Sequence, residues 1–575
     1  MHDLVIRNAT IVDGTGAKAF QGDLAVDEGL ITKVGEVHSP GKHEVDASGL
    51  LLAPGWVDMH THYDGQATWD PYLTPSGWHG VTTSVMGNCG VGFAPAKPDE
   101  RDWVINLMEG VEDIPGAALH EGLQWEWETF PEFLDALERR EFGMDIATQV
   151  PHGPLRAYVM GKRGIANDPA TPEDIAAMKA IVKEGIDAGA LGFSTSRTFI
   201  HRSADGELMP GTFAEQDELF GIGEALGELD KGVFQMTSNH VDMDKEFVWL
   251  RKLSDQIERP ACFNLLQTDE KPELWRTMLR LVEDAYSEGS RIRAQMSGRP
   301  AGLLMGWRCT AHPFVFCPSW QEVAEKPWPE LLELLRTPEF RAKLISETPP
   351  SMGDFYDFLT RTWAKMFALG KTPNYEPTPD TSLAALAESQ GKTPMELAYD
   401  FLLEDEGEAL IYFPIFNYSG FDMDPILTML EHPHTRIGLG DGGAHCGAIQ
   451  DASIPTYLLT HWVKGRTRGG RIELEAAIKK QTHDTAEFYG LLDRGALKPG
   501  LRADFNLIDL EKLELHAPRV VRDLPAGGRR LIQEVTGYVG TWVHGVQVYA
   551  NGETTGALPG RLIRGAKQPA ATATA

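Results

Sequence analysis

The hydrophobic pattern divides the chain into three regions. Near the N-terminus, short apolar runs at Leu4–Asn8, Thr10–Val12, Asp23–Val26 and Leu30–Val34 are broken by Gly14, Gly16, Gly22 and Gly29. Runs of this length bounded by glycine predict strands and turns. The far end repeats the pattern over Gly500–Ile508 and Thr541–Tyr549. Chain ends usually lie at the surface and close together, so the two pieces are expected to join in one small β-sandwich domain, residues 1–55 and 491–566. Between them, apolar strand-like segments alternate with helical periodicity: Val57–His62, Val81–Val85, Ile146–Val150, Leu191–Thr195, Val233–Ser238, Cys262–Leu266, Arg291–Met296 and Arg436–Leu439. One of the intervening helices is predicted over Pro172–Ala188, because Thr171-Pro172-Glu173-Asp174 supplies a cap, a proline and acids in helix-start order.

Repeated strand-then-helix units predict a parallel sheet with helical crossovers, and eight of them favour a (β/α)8 TIM barrel over residues 56–490. The apolar run Ala409–Phe416 is a ninth strand candidate, treated as an extra. A long insertion, about residues 298–379, carries helical patterns at Pro329–Arg336, Pro338–Leu344 and Met352–Ala368 and is expected near the barrel mouth. The low-complexity end, residues 567–575, is expected to be disordered.

Composition narrows the function. Hydrophobic residues make up 42% of the 575 and charged residues 24%, enough apolar material for a large core. The formal net charge of -30, with no long Lys/Arg block, argues against a nucleic-acid partner. No apolar run is long enough to span a bilayer and the N-terminus lacks a signal-peptide pattern, so no membrane partner is expected. Five scattered cysteines without a C-x-x-C pair make a reducing cytoplasm the simplest home. A homo-oligomer is compatible with all of this.

The chemistry sits at strand ends. In Gly55-Trp56-Val57-Asp58-Met59-His60-Thr61-His62, alternate side chains of an extended segment face one way, so His60 and His62 can grip one cation. A solvated His pair at a strand end remains the plain alternative. Cys89, flanked by Gly87 and Gly90, follows the second strand, and is either a small buried hydrophobe or, as a thiolate, a strong zinc ligand. His152 follows the third strand and His240 the fifth. The last strand leads into Gly440-Asp441-Gly442-Gly443, where Asp441 is either a metal-binding carboxylate or a tight-turn residue.

Taken together, Pro54-Gly55-Trp56-Val57-Asp58-Met59-His60-Thr61-His62 resembles the metal signature of the amidohydrolase superfamily. Gly87-Asn88-Cys89-Gly90, His152 to Arg156, Ala190 to Ser194, Gly440-Asp441-Gly442 and Gly495 to Asp504 resemble its N-acyl-D-amino-acid deacylase (D-aminoacylase) branch. The resemblance implies an enzyme, a zinc-dependent hydrolase of the amide bond in a small-molecule N-acyl substrate. It implies metal ligation by His60 and His62, with Cys89 in place of the bridging lysine common elsewhere in the superfamily. Asp441 would be the catalytic carboxylate, taking a proton from water and passing it to the leaving nitrogen. His152, with His240 as a second candidate, is nominated to stabilise the oxyanion.

The sequence also departs from that branch. The histidine expected at the end of the sixth strand is absent, and His240 lies beyond the expected fifth-strand position. The ligand count therefore favours one tightly bound ion on His60, His62, Cys89 and Asp441 over two. Gln267 occupies the region where the branch carries a lysine for the substrate carboxylate. Arg197 or Arg299 could hold such a carboxylate bidentately. The aromatic-rich insertion points instead to another amide, carbamate or cyclic amide with a bulky apolar group. A ligand-binding barrel without catalysis is the remaining reading.

Overall fold

The computed structural model describes residues 1–569. The two chain ends form one nine-stranded sheet, in which Leu51–Pro54 pairs antiparallel with Phe505–Ile508 and so joins the first strands to the last. By hydrogen bonding its strands form one branched sheet, in which Gly41–Asp46 and Leu51–Pro54 both pair with His2–Ile11. Ile6, Ile11, Leu24, Leu52, Phe505 and Trp542 form its apolar cluster.

Eight parallel segments follow in the middle of the chain: β1 (Trp56–Asp58), β2 (Val81–Met86), β3 (Asp145–Thr148), β4 (Gly192–Ser196), β5 (Val233–Thr237), β6 (Ala261–Asn264), β7 (Ile292–Ser297) and β8 (Thr435–Gly438). They lie in two arcs, β1-β2-β3 and β4-β5-β6-β7-β8, with Val150–Pro151 just beyond β3 pairing parallel to β4. On the other side, the residues after β1 meet those after β8. His62 N donates to Gly442 O at 2.7 Å, and Asp441 N donates to His60 O at 3.0 Å. Nearly every residue of these segments is buried, the polar ones such as Thr82, Thr83, Ser84 and Gln235 included, as in parallel strands covered on both faces.

The crossover helices begin as their sequences dictate. The helix Pro172–Ala188 starts at Thr171, whose hydroxyl accepts from Asp174 N while Asp174 reaches back to Thr171 N. Two expectations need correction. His60 and His62 lie beyond β1, in extended chain after Asp58, and not inside the strand. The helix expected over Met352–Ala368 runs only from Asp354 to Arg361, then gives way to a short turn and the strand Phe367–Ala368. The ninth strand candidate appears as Ile411–Pro414, antiparallel to Gly302–Met305 and Phe367–Ala368 in a small sheet of the insertion. That insertion has its own apolar centre, with Trp307, Phe314, Trp320 and Tyr399 packed together.

Two links tie the terminal region to the barrel strands. Beneath them, the buried Asp145 carboxylate on β3 accepts from Arg494 at 2.7 Å and lies 2.9 Å from Arg502. Above them, the hairpin formed by Arg519–Leu524 and Gly528–Ile532 reaches the loop after β8, where Leu531 N donates to Cys446 O at 2.6 Å. Of the expected tail, Lys567 N donates to Gly490 O at 2.9 Å, and residues 570–575 lie outside the described residues. No described helix is long and apolar enough to cross a membrane.

Burial alone would raise the Asp145 carboxyl, yet Arg494 and Arg502 hold it below its ordinary 3.8. Asp145→Asn is expected to lower unfolding stability at pH 7 by about 3 kcal/mol, the cost of leaving buried charge unpaired. A group with a depressed folded pKa contributes above its unfolded pKa. The difference between variant and wild type in urea unfolding should therefore shrink as pH falls through and below 3.8.

Candidate active site

The loops after β1, β2 and β8 bring four side chains to one point. His60 Nε2 lies 3.2 Å from Cys89 Sγ and 3.5 Å from Asp441 Oδ1, and His62 Nε2 lies 3.8 Å from the same Asp441 oxygen. One ligand atom each from His60, His62 and Cys89 falls within 4.8 Å of the others. Local chemistry fixes these loops. Asn88 donates to Thr61 O and Val85 O, and Cys89 N donates to Gln235 Oε1 at 3.1 Å, which pins the thiol over the strand ends. The Gly440–Gly443 turn passes so close to β1 that a Cβ on Gly443, at φ +88°, would stand 2.8 Å from His62 O. Cys89, Asp441 and His445 all hold positive φ (56°, 44° and 49°) without being glycine. Such backbone persists only where its surroundings over-determine it, and it concentrates at functional sites.

A cavity of about 490 Å³ opens above this point, with His60, His62, Cys89, Glu112, Asp441 and His445 at its floor. Its floor is electrostatically unusual. Burial pushes His60 and His445 down to about 4, so both rings are neutral at pH 7, the state a metal ligand needs. Burial, reinforced by Glu112 and Asp441, pushes the Cys89 thiol well up. Burial also raises Glu112, with the Asp441 and Asp64 carboxylates adding to it. Asp441 itself is raised by burial and by Asp451 and Asp58; its side chain lines the cavity and is 19% exposed. Both Glu112 oxygens and His62 Nδ1 are buried without a hydrogen-bond partner, although Glu112 Oε1 stands 3.3 Å from that nitrogen. Unpartnered acids packed around neutral imidazoles and a thiol form a donor set suited to a divalent cation of the zinc class.

Not every expected residue reaches the cavity. His152 is buried elsewhere: Nδ1 bonds Thr195 Oγ1 at 2.8 Å and Nε2 bonds Glu218 Oε1 at 2.9 Å, with Arg156 on the same carboxylate. Both ring nitrogens are occupied, so His152 is not available to an oxyanion. Arg197 is spent on Glu246 at 3.1 Å and on Ala214 O at 2.8 Å. Arg299 is buried against Asp451 at 2.8 Å, with its guanidinium 4.2 Å from the Tyr375 ring centre. Neither arginine lines the cavity. His240 does, with Nδ1 unpartnered and its ring edge-on to Phe416.

Three cavity residues escaped the sequence reading. Glu112 ends the helix Arg101–Glu112 one turn after Met108, on its buried face, and that register was the available signal. His445 closes the Asp441 loop and was within view in the motif. His201 lies in the long connection after β4, where nothing in the sequence marks it; its Nδ1 bonds Ser196 Oγ at 3.0 Å. At the end of β6, Asn264 lines the cavity where a histidine was expected from the family pattern.

The amidohydrolase family model matches residues 43–549. The N-acyl-D-aspartate deacylase of Alcaligenes xylosoxydans xylosoxydans is 28% identical, over 98% of this chain and 95% of its own. The N-acyl-D-glutamate deacylase of the same organism is 30% identical over 98% and 96%. Among solved structures, the N-acyl-D-glutamate deacylase of Bordetella bronchiseptica, complexed with zinc and a phosphonate inhibitor, superposes with a TM-score of 0.64 at 21% identity, covering 98% of this chain and 99% of that one. That likeness gives the fold, a TIM barrel with an extra domain. The extent of the family match and the company of these relatives make the chain a member of the amidohydrolase family, in its N-acyl-D-amino-acid deacylase branch.

Proposed function

We propose that the protein is a zinc-dependent hydrolase of amide bonds in small molecules, acting at the His60–His62–Cys89–Asp441 cluster. The observation that carries this reading is the convergence of two neutral imidazoles, a thiol and a carboxylate on one cavity floor. The β1–β8 contacts support an eight-stranded barrel closed on itself over about residues 56–490. The terminal sheet of residues 1–55 and 491–566 then flanks it, and the insertion of residues 298–379 lies at its mouth. Five buried, unpaired thiols are compatible with a reducing compartment.

His60, His62 and Cys89 would hold one ion, with Asp441 as a fourth ligand or beside it. When bound, the ion would polarise the scissile carbonyl and lower the pKa of water. Asp441, facing the cavity, is positioned to take the proton of the attacking water and hand it to the leaving nitrogen. Gln295 Oε1, 2.7 Å from His60 Nδ1, fixes that ring so that Nε2 faces the floor. Glu112 Oε1, 3.3 Å from His62 Nδ1 but not hydrogen-bonded to it, is near enough to orient that imidazole as a ligand. His240, with a free ring nitrogen at the wall, is the remaining candidate for the developing oxyanion.

Purified protein is expected to retain about one equivalent of zinc, measured by mass spectrometry of the metal; Cys89→Ala should lose most of it on dialysis. Glu112→Gln should weaken zinc retention by about 10-fold or more, read by competition with a chelating dye. Asp441→Asn should lower kcat about 100-fold or more while the far-ultraviolet circular dichroism stays unchanged. Full activity in Asp441→Asn, or metal-free wild-type protein with full activity, would refute the assignment.

A further inference from the structure

The walls of the cavity differ sharply from its floor. Above the metal-competent cluster stand Leu303, Met305, Phe316, Leu359, Ile415 and Phe416. Among the lining residues, Ile200, Phe355 and Tyr356 remain 42%, 37% and 45% exposed, so they face solvent as well as the cavity. Large apolar side chains grouped at the rim of a cavity mark a surface that is covered when the cavity is filled. The volume, about 490 Å³, is that of a pocket for a ligand much larger than an acetyl group.

No lysine or arginine lines this cavity among the described residues. Cations of the surrounding elements are partnered. Lys365 is held by Asp269 at 2.6 Å. Arg529 donates to Thr310 Oγ1 at 3.3 Å, and its charge acts on the carboxylate of Asp113. Arg197 and Arg299 are committed to Glu246 and Asp451. Gln267 turns away, donating to Pro272 O and accepting from Ser419 N. The lining does hold Glu112 and Asp113 in addition to Asp441. A divalent ion would already be matched by the charges of Cys89 and Asp441. A substrate carboxylate entering here would lose its hydration and find acids and apolar walls instead of a bidentate partner.

From this lining we infer that the site, read as the amide-hydrolysing centre proposed above, takes uncharged amides bearing a long-chain or aryl group, and not N-acyl amino acids with a free carboxylate. In the reaction, water adds to the acyl carbon and the C–N bond breaks. The proton of the water passes to the nitrogen, leaving a carboxylic acid and a free amine.

The test compares two compounds that differ only by the carboxylate, N-decanoyl-D-leucine and N-decanoyl-3-methylbutylamine, on zinc-loaded enzyme. The uncharged amide is expected to show kcat/KM at least about 10-fold higher, the loss that follows from burying an unpaired carboxylate. Equal or faster turnover of the acid overturns the inference. Calorimetric binding of both to zinc-loaded Asp441→Asn separates this from the wider reading. If the wild-type enzyme cleaves neither compound, hydrolysis of amides is refuted while the binding ratio still decides the occupant. Tighter binding of the uncharged compound supports the inference; tighter binding of the acid, or of neither, overturns it. Phe355→Ala, at the exposed rim, should lower kcat/KM for the decanoyl amide about 5-fold more than for the acetyl homologue. Equal effects on both chain lengths would refute the apolar wall as the chain-binding surface.

Discussion

The rest of the structure depends on a backbone seam only three residues wide. His60 O accepts from Asp441 N, His62 N donates to Gly442 O, and Thr61 bridges to Gly442. These bonds join chain segments separated by some 380 residues of sequence. They carry no side-chain chemistry, yet they bring the imidazoles to 3.5 and 3.8 Å from the carboxylate. A side chain at Gly442 would stand 2.5 Å from Ser76 Oγ and 2.7 Å from the Tyr63 hydroxyl, so the approach is possible only for glycine. The positive φ of Asp441 is the conformational cost of the same approach.

Desolvation then sets the character of the floor. The same burial that lowers the histidines raises the thiol and the carboxylates, so every ionisable group there is driven toward its neutral form. A multivalent cation reverses that preference for the acids at once, since it supplies the opposite charge they lack. The protein provides no such charge of its own at the floor; its cations are consumed in structural pairs, such as Arg156 with Glu218 and Arg494 with Asp145.

Much of this was legible in the sequence, for identifiable reasons. The eight strand segments stand out as short runs with buried apolar members between helical patterns, although polar residues such as Thr83 and Gln235 lie within them. His60, His62, Cys89 and Asp441 stood out because metal-competent side chains beside glycines at strand ends are rare outside sites. The sequence was silent on contacts made with partners distant along the chain. His152 looked available until Thr195 and Glu218 took both its nitrogens. Arg197 and Arg299 looked like anion binders until Glu246 and Asp451 claimed them. Glu112 failed in the opposite direction: a helical glutamate reads as solvated, and only the packing of that helix against the β8 loop turns it inward.

The hairpin Arg519–Ile532 has a consequence for how this enzyme could change over time. It belongs in sequence to the terminal region, yet Leu531 props the residue next to His445 and Gln533 bonds His79, Tyr375 and Ser453. The terminal region is therefore not an interchangeable module. A recombination event exchanging it between relatives would import a foreign prop beneath the loop after β8, so the two parts must be inherited, or re-engineered, as one unit.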